Sequence, residues 1–466
     1  MAQLKPISTR GSRKQIVFAG GINNEAPEIS IDDAQSVDEQ GWDTDSYPSL
    51  HSRKGRTPYG ATGGANTNFL TNYAQTHLVR SVGTKLQYDN AGTWTDISGT
   101  WTDTDWDATN FNSKLILTNG TDVVQSWNGS ALTALTDAPK GKYISNNSIR
   151  VFIAQNDTIK FSKYLDETNW TDTSSAGMFE FYTDDGGPVT GLKPYGDSII
   201  AFKANAIAEI VGTGQTAQKH RLVNISNSIG CVSAKTIQEV SAPGGNFLFF
   251  LGQNDVYMFS GGRPQSIGNN IRKFINAINP AYTSRCFGAT DGTRYFLGLV
   301  TGANTQPDTL CMFDPRFGIW RVNKTSDNLR YSAFFRNNWY AGDATGQTFK
   351  MLQGQSDNGS PVTWMYTTKD FDEGIREAEK EYYALHLQYT AAPGASLTIQ
   401  VSIDQGQSYI TIGDPITATG YAQNVNEIIP LDTVPISNWL RFRFSGSGEM
   451  TLHEAQRMFL IHPVQI

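Results

Sequence analysis

The strongest constraint on the fold of this chain is a hairpin that recurs along most of its length. Its clearest copy is Lys114–Gly129, KLILTNGTDVVQSWNG, where the apolar and β-branched runs Leu115–Thr118 and Asp122–Trp127 flank Asn119-Gly120. Asn and Gly both tolerate positive φ, so this pair between two such runs predicts a tight β-hairpin. Related units are HLVRSVGTKLQYDN turning near Gly83, SIRVFIAQNDTIKFS near Asn156, SIIAFKANAIAEIV near Asn205 and FLFFLGQNDVYMFS near Asn254. RYFLGLVTGANTQPDTLCMFD, turning near Asn304, and YSAFFRNNWYAG, near Asn338, complete the series. The turns recur every roughly 35–50 residues, the interval at which propeller blades repeat. Strands such as Phe247–Leu251 are continuously apolar, which suits a strand covered on both faces by neighbouring blades.

These units predict an all-β chain: a β-propeller of about seven blades over residues 61–360. Six or eight blades also fit, because a terminal blade is often closed by a distant strand. A second signature follows several hairpins, an aromatic, a polar turn and then Trp: Tyr88-Asp89 to Trp94, Tyr164-Leu165-Asp166 to Trp170, and Phe313-Asp314-Pro315 to Trp320. Each reads as the turn into a blade's outer strand, with Trp94, Trp170 and Trp320 wedged between blades. One helix is expected, Asn270–Asn279, where Ile271, Phe274, Ile275 and Ile278 recur at helical spacing and Pro280 ends the run. Its expected role is packing, plugging the ring or covering an edge.

The flanks differ in character. Residues 1–60 read as an extended, solvated arm, with an acidic run at Asp32-Asp33 followed by the basic Arg53-Lys54-Gly55-Arg56, able to pair locally or with neighbouring chains. After residue 360, the segments Leu397–Ile403, Tyr409–Gly413, Leu440–Ser445 and Thr451–Ile461 alternate as strands, while Glu373–Tyr389 is ambiguous between helix and strand. Residues 361–466 are therefore expected to form a C-terminal β-sandwich.

Composition narrows the function. The formal net charge is −7, which supplies no basic field for holding nucleic acid by its phosphates. Three scattered cysteines, Cys231, Cys286 and Cys311, suit neither a disulfide framework nor a zinc cluster. The apolar run after Lys5, Arg10, Arg13 and Lys14 is too short for a signal-peptide core, and no stretch approaches a membrane span. Synthesis in a cytoplasm as a soluble chain is the expectation. Asn-x-Ser/Thr triplets at Asn119, Asn128 and Asn169 sit in turn contexts, where turn chemistry explains them better than glycosylation.

The sharpest local motif is Ser402-Ile403-Asp404-Gln405-Gly406-Gln407-Ser408-Tyr409. It resembles the Asp box of sialidases and other propellers, a self-capped hairpin in which the Asp404 carboxylate accepts backbone amides across the turn, Gly406 supplies positive φ and Tyr409 anchors the strand. That motif is structural, and here it occurs once, outside the repeats. A sialidase-like site would need an arginine cluster, a Tyr–Glu pair and an acid/base carboxyl. Arg272, Arg285, Arg294, Arg321, Tyr295 and Glu209 are candidates, but no spacing singles them out. The nearest carboxylate pair, Asp184-Asp185, lies in a Gly-rich turn that suits a bend or a weak calcium site. The six His residues show no metal-ligand pairing, and no nucleotide fingerprint follows a strand. The sequence thus predicts no enzyme, and no catalytic, cofactor-binding or metal residues. Its singled-out residues, Asn119, Gly120, Trp94, Trp170, Trp320, Ser402, Asp404, Gly406 and Tyr409, are structural.

Taken together, GGINNEAPEISIDDAQ, YPSLHSRKGRTP, the aromatic hairpin array, SIGNNIRKFINAINP and the ending WLRFRFSGSGEMTLHEAQRMFLIHP resemble the nozzle, or tail-tube hub, of short-tailed bacteriophages over nearly the whole chain. The resemblance implies a virion structural protein, propeller-based, assembled as a ring, commonly a hexamer, below the portal and adaptor. Its implied partners are copies of itself, the adaptor or portal-proximal proteins, and other tail proteins or fibres. DNA would pass transiently without sequence recognition, through a lumen whose acidity would not retard phosphate. Assembly would take place in the host cytoplasm. Two other readings remain: a carbohydrate- or receptor-binding propeller using exposed aromatics such as Trp339, and a glycosidase resting on the Asp box alone.

Overall fold

The computed structural model describes residues 11–183, 187–325 and 327–462. Seven antiparallel sheets, each built on four consecutive strand positions, follow one another along the chain. Their innermost strands are Thr67–Tyr73, Asp107–Phe111, Tyr143–Asn146, Gly191–Tyr195, Gln238–Ala242, Phe287–Thr290 and Leu329–Phe335. The last of these packs against the first and closes the ring. This is a seven-bladed β-propeller. In blades 1 to 6 the recurring hairpin is the middle strand pair, for example Lys114–Thr118 with Gln125–Trp127 in blade 2 and Ser198–Phe202 with Ile207–Val211 in blade 4. In blade 7 it is the inner pair, Leu329–Phe335 with Asn338–Asp343. Middle strands are sandwiched between adjacent blades, and Leu115, Ile116 and Leu117 are accordingly fully buried.

The Asn119-Gly120 turn differs from the expected tight hairpin. Leu117 pairs with Gln125, leaving a longer loop between the strands. Asn119 is buried; its Oδ1 accepts from the amides of Thr121 (3.0 Å) and Asp122 (2.8 Å), and its Nδ2 donates to the Asp103 carbonyl (2.8 Å). An Asx turn satisfied from inside the protein has replaced a two-residue turn. The two-residue turn of this blade is Asn112-Ser113, both at positive φ, between the paired Phe111 and Lys114. Asn128 and Asn169 cap Asx turns in the same way.

The N-terminal segment is no solvated arm. Ser12–Ile16, Trp42–Asp43 and Leu50–Ser52 join one sheet of the C-terminal sandwich, whose main order continues through Met450–Ile461, Lys380–Ala391 and Ala422–Pro430. Ser36–Gln40 joins the other, beside Thr363–Thr368, Arg441–Ser447, Ser396–Ser402 and Ile410–Thr417. Arg56–Pro58 then becomes the outer strand of blade 7, pairing with Phe349–Met351. Most of these segments are short and carry charges, so their apolar content alone predicts no strand; long-range pairing supplies what local propensity lacks. Asp33 pairs with Lys369 and Arg457, and Arg53 and Arg56 with Asp357 and Asp327, so the arm's charges meet the body of its own chain.

The sandwich core gathers Trp42, Leu50, Trp364, Tyr382, Leu385 and Phe444, drawing on both ends of the sequence. The ambiguous stretch resolves as a twelve-residue strand, Lys380–Ala391. The expected helix is shorter than its pattern: a 3₁₀ turn at Asn269–Ile271 leads into Arg272–Asn276, and Ile271 and Ile275 enter the core shared by blades 5 and 6.

Candidate functional site

Two places in the fold concentrate charge where side chains from distant parts of the sequence converge. The first is a cavity of about 460 Å³ on the propeller axis, lined among others by Trp106, Tyr143, Lys193, Lys235, Phe287 and Tyr331. Asp105 precedes the inner strand of blade 2, Lys142 that of blade 3 and Lys235 that of blade 5. The Asp105 carboxylate receives Lys235 Nζ at 3.0 Å and Lys142 Nζ at 3.3 Å, and Lys142 also donates to the Asp105 carbonyl at 2.7 Å. Burial opposes the charge on Asp105, but the two lysines outweigh it and hold the carboxyl below its ordinary value. For Asp107 burial wins and its pKa rises, although Lys193 and the amides of Ile144 and Ala108 stabilise the carboxylate. Lys235 lies 5.1 Å from the centre of the Tyr331 ring.

This arrangement ties blades together across the axis. Its size is that of a small-ligand pocket, roughly 300–1,000 Å³. Duplex DNA, with a major groove alone about 12 Å wide, does not fit such a space. Among the described residues no group of three or more His, Cys, Asp or Glu side chains is placed to hold a metal ion.

The second place is the seam between blade 6 and the sandwich. Arg321, on the outer strand Ile319–Lys324, donates to Glu39 Oε2 (2.8 Å) and to the Phe18 carbonyl (2.8 Å), and Glu39 also accepts from Ser36 Oγ (2.8 Å). Both members of the Arg321–Glu39 pair are fully buried. Burial raises the Glu39 pKa despite the arginine. Asp314, also buried, accepts from Thr44 Oγ1 (2.5 Å) and pairs with Arg316 (2.6 Å). Arg294 bridges Asp291 (2.6 Å) and Asp45 (2.9 Å). Asp43 beside them is pushed up to about 7, first by burial and then by the Asp45 charge. Gly21 completes the seam at φ +68°, where an added Cβ would stand 2.5 Å from the Trp320 carbonyl oxygen.

The residues singled out from sequence occupy separate structural places. Trp94 lies on the outer strand of blade 1, its ring under the Arg80 guanidinium (3.9 Å) and edge-on to Tyr59. Trp320 lies on the outer strand of blade 6 and donates to the Ile267 carbonyl of blade 5 (2.7 Å). Trp170 is in a loop before the outer strand of blade 3, donating to the Glu167 carbonyl and packing on the core between blades 2 and 3. In the Asp-box-like turn Ser402 Oγ donates to Asp404 Oδ1 (2.7 Å) and accepts from the Gly406 amide (2.8 Å). Asp404 accepts from the Ser408 hydroxyl (2.5 Å) and amide (2.9 Å), which bring its pKa down to about 2. Gly406 is at φ +86°, and the Arg443 guanidinium stacks 3.6 Å over Tyr409.

Of the sialidase-type candidates, Arg294 and Arg321 come together, lining one pocket of the seam beside Asp43, while the others lie apart. Arg272 serves Asp255, Arg285 the Thr305 carbonyl, Arg294 and Arg321 the seam, and buried Tyr295 the Thr236 carbonyl, while Glu209 sits on blade 4. Asp184-Asp185 lies outside the described residues. Trp339, expected to be exposed, is buried and stacked on Phe296 at 4.4 Å. Sequence reasoning missed the axial network and the seam, because Asp105, Lys142, Lys193 and Lys235, like Glu39 and Arg321, carry no local signature of their meeting.

Fold and site together define a seven-bladed propeller fused to a sandwich built from both ends of the chain. No family model and no curated protein matches the sequence. Among solved structures it is similar to an extracellular domain of a hybrid two-component system from B. thetaiotaomicron, at 8% identity and TM-score 0.44, over 64% of this chain and 39% of that one. It is similar also to a chain of the mitotic checkpoint complex, at 12% identity and TM-score 0.42, over 65% of this chain and 93% of that one. BamB from Moraxella catarrhalis matches at 12% identity and TM-score 0.39, over 68% of this chain and 96% of that one. The chain thus spans about two fifths of the length of the two-component system domain.

Proposed function

We propose that this chain is a structural subunit of a short-tailed phage tail, a nozzle-type protein whose copies form a ring continuing the DNA path below portal and adaptor. The reading begins from the resemblance in the sequence. The observation that carries it is the use of charge: Asp105 with Lys142 and Lys235 at the axis, and Arg321 with Glu39 and Arg294 with Asp45 at the seam, tie blades and domains together. That suits a scaffold better than a catalyst. The size of the axial cavity adds a constraint, since DNA would have to run through an opening between subunits and not through the propeller's own hole. The acidic balance of the chain agrees with a lumen that does not grip phosphate.

Mass measurement and negative-stain imaging in virion-like conditions test this. The expected result is a closed cyclic assembly, commonly six-fold, with a central opening wide enough for duplex DNA. A chain that stays monomeric there, or a ring lumen dense in Arg and Lys, refutes the proposal. A receptor- or glycan-binding role draws on one observation, the half-exposed pair Tyr47 and Phe317, stacked at 3.8 Å on the surface of the seam. Glycan-array binding that disappears in Phe317→Ala would favour it over the conduit.

A further inference from the structure

The sandwich treats its sheet edges unequally. An edge strand offers unpaired amides and carbonyls to any passing strand, and proteins normally cover, shorten or blunt it with charge or proline. Ser36–Gln40 and Trp42–Asp43, edges of the two sheets, lie against the outer strand of blade 6. Ile410–Thr417, the other edge of its sheet, carries Gly413-Asp414-Pro415 in mid-strand, which refuses a partner. Two edges of the six-stranded sheet are left uncovered by blade 6, one a short strand charged at Arg13 and Lys14, the other a longer strand whose proline comes only at its end. Among the described residues, Ser12–Ile16 pairs only with the strand Met450–Ile461, and Ala422–Pro430 only with Lys380–Ala391.

Both strands are open to solvent. Ser12, Arg13, Lys14 and Gln15 are exposed in succession, and only Ile16 at the end of that strand enters the sandwich core. In Ala422–Pro430 the residues Gln423, Asn424, Asn426 and Ile428 are exposed, Ile428 to 62%. The Leu431 amide donates inward to the Tyr383 carbonyl (3.0 Å). Because amides alternate along a strand, those of Asn426 and Ile428 point outward, and the outward row of donors ends at Pro430, which has no N–H. The charges of the two edges are complementary. Arg13 follows Lys5 and Arg10 in sequence, while Lys14 is held by Glu373 of its own chain at 3.2 Å; Ala422–Pro430 has no basic residue, contains Glu427 and is followed closely by Asp432.

We propose that Ala422–Pro430 receives the strand Ser12–Ile16 of a neighbouring copy, so that this sheet runs on from subunit to subunit. This deepens the ring reading and rests on it. The direction follows from the fold. Ser12–Ile16 is antiparallel to Met450–Ile461, which is antiparallel to Lys380–Ala391, which is antiparallel to Ala422–Pro430. A neighbour carried round with its strand directions kept therefore meets Ala422–Pro430 antiparallel. Each copy gives one edge and takes one, a head-to-tail contact that generates a ring when the rotation closes. Closure leaves neither edge exposed, as it does in a barrel.

The test uses the full-length chain and two variants: Asn426→Pro, which removes an outward amide from the receiving edge, and a chain lacking residues 1–14, which removes most of the donating strand. Circular-dichroism melts establish that each is folded, and native mass spectrometry reads assembly in virion-like conditions. Each variant alone should be monomeric. Mixed, they should form a 1:1 complex and nothing larger, because Asn426→Pro keeps a donor strand and the shortened chain keeps a receiving edge. Hydrogen exchange on the wild-type ring should show protection gained at 12–16 and 422–430 relative to monomer. If either variant still forms the wild-type ring, or two folded variants give no 1:1 complex, the strand exchange is overturned while the ring reading stands. A wild-type chain that never assembles overturns both.

Discussion

Replacing Arg321 with Leu isolates the seam between propeller and sandwich. Glu39 would then be fully buried with the Ser36 hydroxyl, 2.8 Å away, as its remaining side-chain partner. Removing one member of a buried ion pair costs about 3–5 kcal/mol, because the other is left as an uncompensated charge. Burial already raises the Glu39 pKa with the arginine present, and removing the arginine raises it further. A carboxyl whose folded pKa lies above its unfolded value binds its proton more tightly when folded. Its favourable contribution is therefore present at low pH and lost as pH rises through the folded pKa. The deficit of Arg321→Leu relative to wild type should grow with pH above the ordinary carboxylate range, by at most about 1.4 kcal/mol per pH unit, and then level off. Urea unfolding at pH 5 and pH 8 reads it: a loss of about 3–5 kcal/mol at pH 8 and a clearly smaller one at pH 5. The double variant Glu39→Leu/Arg321→Leu, with no charge to strand, should recover most of the stability at both pH values. A loss under about 1 kcal/mol at pH 8, or one indifferent to pH, would refute the assignment of the seam to this pair.

Other outcomes follow from the same structure. Gly21→Ala should destabilise by more than about 1 kcal/mol, since its Cβ would meet the Trp320 carbonyl at positive φ; Gly64→Ala, at φ +73° with open space, should cost less in the same unfolding assay. Trp339→Ala should cost about 3–5 kcal/mol by opening a cavity against Phe296, and should leave any glycan binding unchanged until unfolding. The Cys231 and Cys286 thiols are pushed up to about 12 and about 11 by burial, and all three cysteines are buried, so a thiol reagent should label none in the native chain and three in denaturant. The depressed Asp404 carboxyl contributes stability that is present above its unfolded pKa and lost as pH falls toward about 2; Asp404→Asn should flatten that acid limb in a pH-resolved melt.

The legible parts of the fold are those whose physics is local. The middle strands of each blade are covered on both sides, so runs such as Leu115-Ile116-Leu117 and Leu248–Leu251 are apolar without interruption and visible in the sequence. Inner strands such as Asp107–Phe111 face the axial cavity on one side and carry Asp, Thr and Asn, which hides them. The Asx turn at Asn119 shows the limit of a dipeptide signal. Asn-Gly is compatible with a two-residue turn, but the Asp103 carbonyl waiting beside Asn119 selects the longer one.

By itself, then, the sequence determined an all-β chain of repeated hairpins, a propeller followed by a sandwich, with the Trp positions and the Asp-box-like turn as fold elements. The tertiary structure alone decided that the first fifty-odd residues build the sandwich and close blade 7. It alone brought Asp105 to Lys235 on the axis and Glu39 to Arg321 at the seam, and buried Trp339. The reason is range. Periodicity and turn chemistry act over a few residues and leave a pattern in the chain, whereas Ser12 facing Phe459, or Glu39 facing Arg321, is a pairing across hundreds of residues that no local pattern records.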